Sequence, residues 1–326
     1  MRIKIPDLEW LVIQTLTKYG YTNDEIESIK EILLYAQLRG NNQGVVKLIG
    51  KGIPKDLSAG EIRIIRETKL SALLDGNFNF GMLVLKKATQ IALVKAEEHG
   101  FGIVGTNNTC SSTGAIGYYA REIACHGFVG FVFSGSPPTV AAYGSCQPVF
   151  GTNPLAIGIP LSSEPIVLDM ATSGMTVFGL VEAKTAGIRI PDGLAFDAYG
   201  AATNDPGEAM QGALKTFGGP KGSGLSFIIE ALTGPLVGAS FAGLGKGDWG
   251  NLVFAIDPTL FVDREEFEHE MISLVEQVRM GKKLPGVSQI YLPGERENAL
   301  LKKNMETGEV DLEENLYRQL VAAAEG

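Results

Sequence analysis

From Gly100 to Ser163 the chain carries only two charged side chains, Arg121 and Glu122. The stretch is dense in Gly, Ala, Ser, Thr and Pro. So long an uncharged run must be packed away from water. Its small residues let backbones approach one another, or a ligand, closely. It therefore predicts a buried core with many turns, a cofactor groove or a subunit interface, readings that are compatible. It is too apolar for the surface of a soluble monomer, so a homodimer is expected. The 326 residues, 45% of them hydrophobic, suffice for one large domain or two to three small ones.

The rest of the chain alternates. Apolar residues at 8, 11, 12, 16 and 19 lie on one helical stripe. Thr22 followed by Glu25 is a capping-box pattern that opens a second helix, which ends at Gly40. Gly81–Gly100 reads as a helix and runs straight into a strand, "FGIVGT". "STGAIGYYAREIACHG" reads as another helix and "FVGFVF" as another strand. This predicts an α/β class without settling parallel against antiparallel strands. The C-terminal part is charged and helical. No repeat or low-complexity linker suggests loosely tethered domains. The expected division is a helical part, 1–70 with 290–326, and a cofactor-binding and dimerisation core, 71–289.

Several classes are disfavoured. The net charge of -9 repels phosphate backbones, so no nucleic acid and no anionic membrane is expected as a partner. Cys110, Cys125 and Cys146 fit neither a disulfide framework nor a zinc pattern. They read as reduced thiols in a cytoplasmic protein. "MRIKIPDLEW" lacks the apolar run of a signal peptide. Gly222–Gly245 is long enough to span a bilayer but holds Glu230, Pro235 and several Gly and Ser, and reads as a buried core helix. His99 and His126 each precede a glycine at an expected helix end, where an imidazolium suits the dipole. His269 lies in a charged helix. No metal site is expected.

Three segments carry chemistry. "GGPKGSG" is not a Walker loop, because Lys221 precedes Gly222 and Ser223 in the wrong order. A Gly-rich turn before a helix still offers N–H groups and a positive dipole end, and Lys221 adds a cation suited to a pyrophosphate. An ordinary helix-entry turn is as good a reading of that motif alone. "IVLDMATS" is a β-branched run whose end presents Asp169, Thr172 and Ser173 to a ligand's hydroxyls, or simply a strand leading to a cap. "IPDGLAFDAYG" places Asp197 beside Phe196; if buried, it would have a raised pKa and could serve as an acid.

Taken together, "PVFGTNPLAIGIP", "IVLDMATS", "FGGPKGSGLSFIIEALTGPLVGASF", "WGNLVFAIDP" and "LPGERE" occur in an order that resembles the type 2 malate/L-lactate dehydrogenase family. The likeness covers nearly the whole chain. It implies a non-Rossmann α/β fold with a largely antiparallel central sheet, helical N- and C-terminal parts and an intimate homodimer. It also implies an NAD(P)-dependent reductase or dehydrogenase acting on a small carboxylate-bearing substrate. The cofactor, NAD or NADP, would be held by Asp169, Met170, Ala171, Thr172, Ser173 and Gly174, by Lys221 and Gly222, and by Gly294, Glu295 and Arg296.

The departures from the family concern its histidines. The family loop Arg-Gly-x-x-Ser-His-Gly is here "RGNNQGVVKL", with Asn42 and Gln43 at the Ser-His places. Lys47 stands at the basic position four residues on, and Lys51 at a tyrosine position. Ser112 stands at the histidine place of a second motif and Pro220 at that of a third; Asp197 is kept. A general acid or base typically contributes ~10²–10⁴-fold. Gln43 cannot titrate; it can orient a substrate or polarise a carbonyl. A cyclic imine is largely protonated near neutrality and accepts hydride without prior proton transfer. The expected catalytic residues are thus Gln43, Lys47 paired with the substrate carboxylate, and Asp197 at the ring nitrogen. Reduction of a carboxylate-bearing cyclic imine leads. A 2-oxo acid reductase that uses Asp197 or Lys47 as its acid follows, then an inactive nucleotide-binding relative.

Overall fold

A computed structural model describes residues 1–326. Its frame is a seven-stranded sheet. In order across the sheet the strands are Arg63–Glu67, Ser71–Asp75, Phe101–Thr109, Trp249–Ile256, Val129–Ser134, Leu155–Ile159 and Ile166–Met170. Only Ser71–Asp75 and Phe101–Thr109 pair in parallel; every other neighbour is antiparallel. The expected α/β fold with a largely antiparallel central sheet is thus found.

The uncharged stretch supplies three of the sheet's central strands. Val129–Ser134 alternates half-buried and buried residues, as a strand with one covered face must. The helix Gly117–Cys125 covers that strand, and Gly81–His99 covers its neighbours Phe101–Thr109 and Trp249–Ile256. A Cβ on Gly158 would stand 2.1 Å from the Ala120 carbonyl oxygen, so glycine is what lets the second helix lie against the sheet. The apolarity of this stretch is satisfied largely within one protomer, which removes the reason first given for a dimer. Within the stretch Tyr143 stays exposed, and beyond it exposed apolar surface lies on Phe227 (60% exposed), Ile228 (53%) and Leu236 (62%).

The helices Ile5–Lys18, Asn23–Leu38 and Glu314–Glu325 gather at one end of the sheet. Leu8, Leu11, Val12 and Leu16 bury the predicted stripe, and the Thr22 N–H donates to the Glu25 carboxylate at 2.8 Å, as the capping pattern required. One core of 42 buried residues runs from Ile3 to Ala324 and includes both helical and sheet residues. Arg63–Glu67 pairs with Ser71–Asp75, so the 70/71 boundary falls inside a hairpin of the sheet.

A second lobe has a five-stranded sheet formed by Ala202–Thr203, Ala195–Phe196, Ala213–Lys215, Val140–Ala141 and Pro148–Phe150. It has its own small core, including Val140, Phe150, Leu180 and Leu214. Two expected helices are shorter than the sequence implied. The helix from Pro220 stops at Thr233 because Gly234-Pro235 breaks it, and Phe227 and Ile228 leave one face exposed. No helix is long and apolar enough to cross a membrane. The helix expected from Ser112 begins at Gly117. Before it, Ser111 is left-handed (φ 59°), and the hydroxyls of Ser112 and Thr113 bond to Lys47 and Ser134 instead of capping a helix.

Candidate active site

The helix Asn23–Leu38 delivers Arg39 and Gly40 into a loop that its own side chains organise. Asn41 Oδ1 accepts from the Gln43 N–H (2.9 Å), and Gln37 Oε1 accepts from the Val45 N–H (3.1 Å). Asn42 Oδ1 accepts from Gln43 Nε2 (3.2 Å) and Thr176 Oγ1 (2.9 Å). Gln43 is therefore half-buried and held by amide contacts with no titrating neighbour among them. The next turn, a 3-10 helix over Val45–Leu48, is buried throughout.

Lys47 on that turn is 1% exposed. Its Nζ lies 2.7 Å from Ser112 Oγ and 3.4 Å from the centre of the Phe178 ring, and it pairs with no carboxylate. Burial pushes the lysine well below its usual pKa. The structure thus joins Lys47 and Ser112, 65 positions apart in sequence. Lys51 lies exposed, outside this contact.

Of the expected cofactor residues, Asp169, Gly294 and Arg296 line one cleft and Gly174 lines another, with Met170–Ser173 between them. The first, about 370 Å³, is lined by Asp169, Gly294, Arg296, Arg39, Tyr35 and Tyr291 among others. Asp169 Oδ2 accepts from the Gly117 N–H at the start of a helix (2.9 Å). Burial nevertheless raises its carboxyl to about 6, the Gly117 bond opposing and Glu297 reinforcing the shift. Arg39 and Arg296 have no carboxylate partner; each lies over a tyrosine, Tyr35 and Tyr291. Gly294 begins the helix Glu295–Thr307 in a left-handed conformation (φ 79°). Glu295 caps the Leu292 N–H (2.8 Å) and pairs with Arg279, so its carboxylate is already engaged.

The second cleft, about 800 Å³, lies at the small lobe, between Tyr143–Cys146 on one side and Lys215–Gly219 on the other, with Gly174 exposed in its wall. The helix Pro220–Thr233 starts at its rim, with Gly219 as N-cap. Lys221 is exposed on the first turn. Gly222 has a packing role, since a Cβ there would stand 2.0 Å from the Phe217 carbonyl oxygen. The hydroxyls of Thr172 and Ser173 are used internally. Thr172 donates to the Thr152 carbonyl (3.0 Å) and is bonded to the Ser226 hydroxyl (3.1 Å), and Ser173 donates to the Met175 carbonyl (2.6 Å). Met170 and Ala171 are half-buried chain between the clefts.

Asp197 does not meet the condition set for an acid. It is half-buried, and its Oδ1 accepts from the Tyr199 N–H (2.8 Å) and Ala201 N–H (2.9 Å), closing the turn of a hairpin. It lines neither cleft. The reason is local: an Asp two residues before a turn competes well for backbone N–H groups. Sequence reasoning missed Arg39 and Lys215. Lys215 sits in the larger cleft, its Nζ 4.3 Å from the centre of the Phe196 ring. A lone basic residue after a helix or in a short strand gives no such signal. No three His, Cys, Asp or Glu side chains converge as a metal site.

The family model for malate/L-lactate dehydrogenase matches residues 3–321. The chain belongs to this family. It is an oxidoreductase by that membership. It is 33% identical to the L-sulfolactate dehydrogenase of Methanothermobacter thermautotrophicus, over 99% of this chain and 96% of that protein. It is 32% identical to the Delta(1)-pyrroline-2-carboxylate reductase of Pseudomonas fluorescens, over 77% of this chain and 79% of that one. The structure of delta1-piperideine-2-carboxylate reductase from Pseudomonas syringae superposes with a TM-score of 0.83 at 26% identity, covering 99% of both chains.

Proposed function

We propose that this protein is a nicotinamide-dependent reductase of a small substrate in which a carboxylate neighbours a C=N bond. The observation that carries this reading is the make-up of the loop after Gly40. Gln43 is tied to Asn42 and has no proton to give at neutral pH, while a single buried cation-forming group, Lys47, stands ready for a carboxylate. A cyclic iminium needs no acid before hydride arrives. Likeness to a pyrroline-carboxylate reductase and to a piperideine-carboxylate reductase supports the same class.

A dinucleotide suits the two clefts. Arg39 and Arg296 are cations without carboxylate partners, and Asp169 offers a carboxylate to ribose hydroxyls. Lys215, Lys221 and the start of the helix at Pro220 present positive charge and N–H groups at the other cleft. The intervening Asp169–Gly174 chain spans at most roughly 16 Å at ~3.3 Å per residue. When bound, the cofactor supplies hydride; the protein's own groups hold it and orient the acceptor. NAD is the first expectation, from likeness to an NAD(+)-dependent ureidoglycolate dehydrogenase, and the two arginines leave room for NADP. Free Cys110, Cys125 and Cys146 suit a reducing cytoplasm. The exposed Phe227, Ile228 and Leu236 support a homodimer across that face, which light scattering checks.

A second reading is a 2-oxo acid reductase with Lys47 as the acid, favoured by that residue's lowered pKa. Activity with NADH and NADPH on a panel of cyclic imino acids and 2-oxo acids decides. An enzyme that reduces 2-oxo acids well and ignores cyclic imines sinks the imine reading. No turnover of either class removes both.

A further inference from the structure

We propose that Lys47 is an uncharged amine in the empty protein and takes up one proton when a carboxylate docks beside it. The protein then binds its acidic ligand together with a proton from solvent. This rests on the carboxylate reading above but not on which carboxylate is reduced.

The argument is one of counting partners. An ammonium has three N–H donors. Lys47 Nζ has one oxygen, Ser112 Oγ at 2.7 Å, and the face of Phe178 at 3.4 Å. With 1% of the residue exposed, water does not supply the others. A desolvated cation gains less from a ring beside it than burial without an ion partner costs, even after relaxation. The ring is therefore too weak to keep the charge. A neutral amine fits the same contacts: its lone pair accepts the Ser112 O–H, and an N–H points at the ring. The Gly114 N–H, 3.2 Å from Ser112 Oγ, occupies one of the hydroxyl's two acceptor sites and leaves its proton free to turn toward Lys47.

Nothing else nearby holds the charge. The turn carrying Lys47 packs against the helices Ile5–Lys18, Asn23–Leu38, Val177–Ala186 and Glu314–Glu325. Their titratable side chains are Asp7, Glu9 and Lys18; Asp24, Glu25, Glu27, Lys30, Glu31 and Tyr35; Glu182 and Lys184; and Glu314, Tyr317, Arg318 and Glu325. None bonds to Nζ, and burial alone lowers its proton affinity. A ligand carboxylate supplies the missing anion and two acceptor oxygens. The amine nitrogen gains a proton from water or buffer, forming an N–H bond, and the ligand stays ionised. The Phe178 ring lies against Lys47 Nζ, so docking displaces the first turn of the helix Val177–Ala186.

Two measurements test this. The first needs no ligand. Unfolded lysine titrates near 10.4, and folded Lys47 below that. Between the two values only the unfolded chain holds the proton, so Lys47 weakens the fold increasingly as pH falls from about 10 toward neutrality. Lys47→Met should raise Tm by a few degrees near pH 7, and the gain should shrink toward pH 10. A variant that is less stable than wild type, or whose difference does not change with pH, overturns the inference. The second uses wild type loaded with NADH or NADPH. Oxamate and cyclopentanecarboxylate, which offer a carboxylate but no reducible bond for this chemistry, are titrated calorimetrically near pH 8.5 in two buffers of different ionisation enthalpy. Uptake of about one proton is expected, with affinity falling about tenfold per pH unit above the resting pKa of Lys47. Binding without proton exchange overturns the inference. If neither acid binds while Lys47→Met behaves as expected, the carboxylate reading falls and the uncharged lysine stands.

Discussion

Lys47 and Asp169 are both ionisable groups held from water, one beside the loop after Gly40 and one in the cleft around Gly294. Burial, with Glu297 adding to it, raises the Asp169 carboxyl to about 6, and an N–H donor from Gly117 opposes the shift. Lys47 has one hydroxyl and a ring, and falls well below its usual range. A partly compensated charge keeps its ionised form at neutral pH; an uncompensated one gives it up until a ligand completes the site. On the function proposed above, the difference would separate a region that holds the cofactor from one that waits for an anion.

Removing the lysine breaks the comparison most severely. Truncating one partner of a buried charge pair costs ~2–5 kcal/mol. Lys47→Met is therefore expected to lower kcat/KM on the true substrate by ~10²–10³-fold while cofactor affinity changes little. Steady-state kinetics and nicotinamide fluorescence check both halves. A Lys47→Met enzyme with near-normal kcat/KM would show that the buried amine never meets substrate.

Asp169 sharpens the other side. A hydrogen bond to a charged group is worth ~1.5–3 kcal/mol, so Asp169→Asn should weaken the cofactor by ~10–100-fold above neutrality. In wild type the affinity should rise with pH through about 6 as the carboxylate forms, and in the variant it should be flat. Stability runs the opposite way. The folded carboxyl titrates above the unfolded value of ~3.9, so the stability Asp169 contributes is present in acid and is lost as pH rises from about 4 to about 6. Equal pH profiles in both proteins would remove Asp169 from the cofactor site.

The fold was legible where periodicity and glycine spacing speak. The first helices, the buried strands and the His99 and His126 helix ends follow from local pattern, and His126 Nδ1 lies 2.8 Å from the Glu122 carbonyl. The site was legible only in part. Asp169 and Gly294 line one cleft together, whereas Thr172 and Ser173 turn their hydroxyls inward, which no spacing reveals. Asp197 was misjudged because burial was inferred from Phe196, whereas turn geometry claims the carboxylate. The Lys47–Ser112 contact joins residues 65 positions apart, and pairing across that distance is a property of the folded sheet.

A smaller effect belongs to Lys221. It is exposed on the first turn of its helix and lies outside the lining of the larger cleft. Solvent screening limits such a charge to ~0.3–1 kcal/mol. Lys221→Ala should weaken NADH or NADPH by only about two- to fivefold. Unchanged affinity would leave Lys215 and the helix N–H groups as the phosphate-facing elements of that cleft.

Gln43 gives the smallest expected change and the most informative one. If the site is tuned for an iminium, Gln43→His adds no needed proton and brings an imidazolium toward a cationic ring. Like charges within ~4–6 Å disfavour each other, so imine reduction should fall slightly or stay flat. If position 43 is a lost acid, the same change supplies a group whose pKa lies near neutrality, and 2-oxo acid reduction should rise by ~10²-fold or more. Lys47 decides how far that gain can go. The neutral Lys47 amine takes up a proton only as the substrate carboxylate docks, and an imidazolium nearby competes for that carboxylate. Gln43→His should therefore also lessen proton uptake on oxamate binding. Measuring kcat/KM for both substrate classes in wild type and variant separates the cases. A large gain on 2-oxo acids with no loss on imines would show that the loop lost an acid, and that its present glutamine is not an adaptation to C=N.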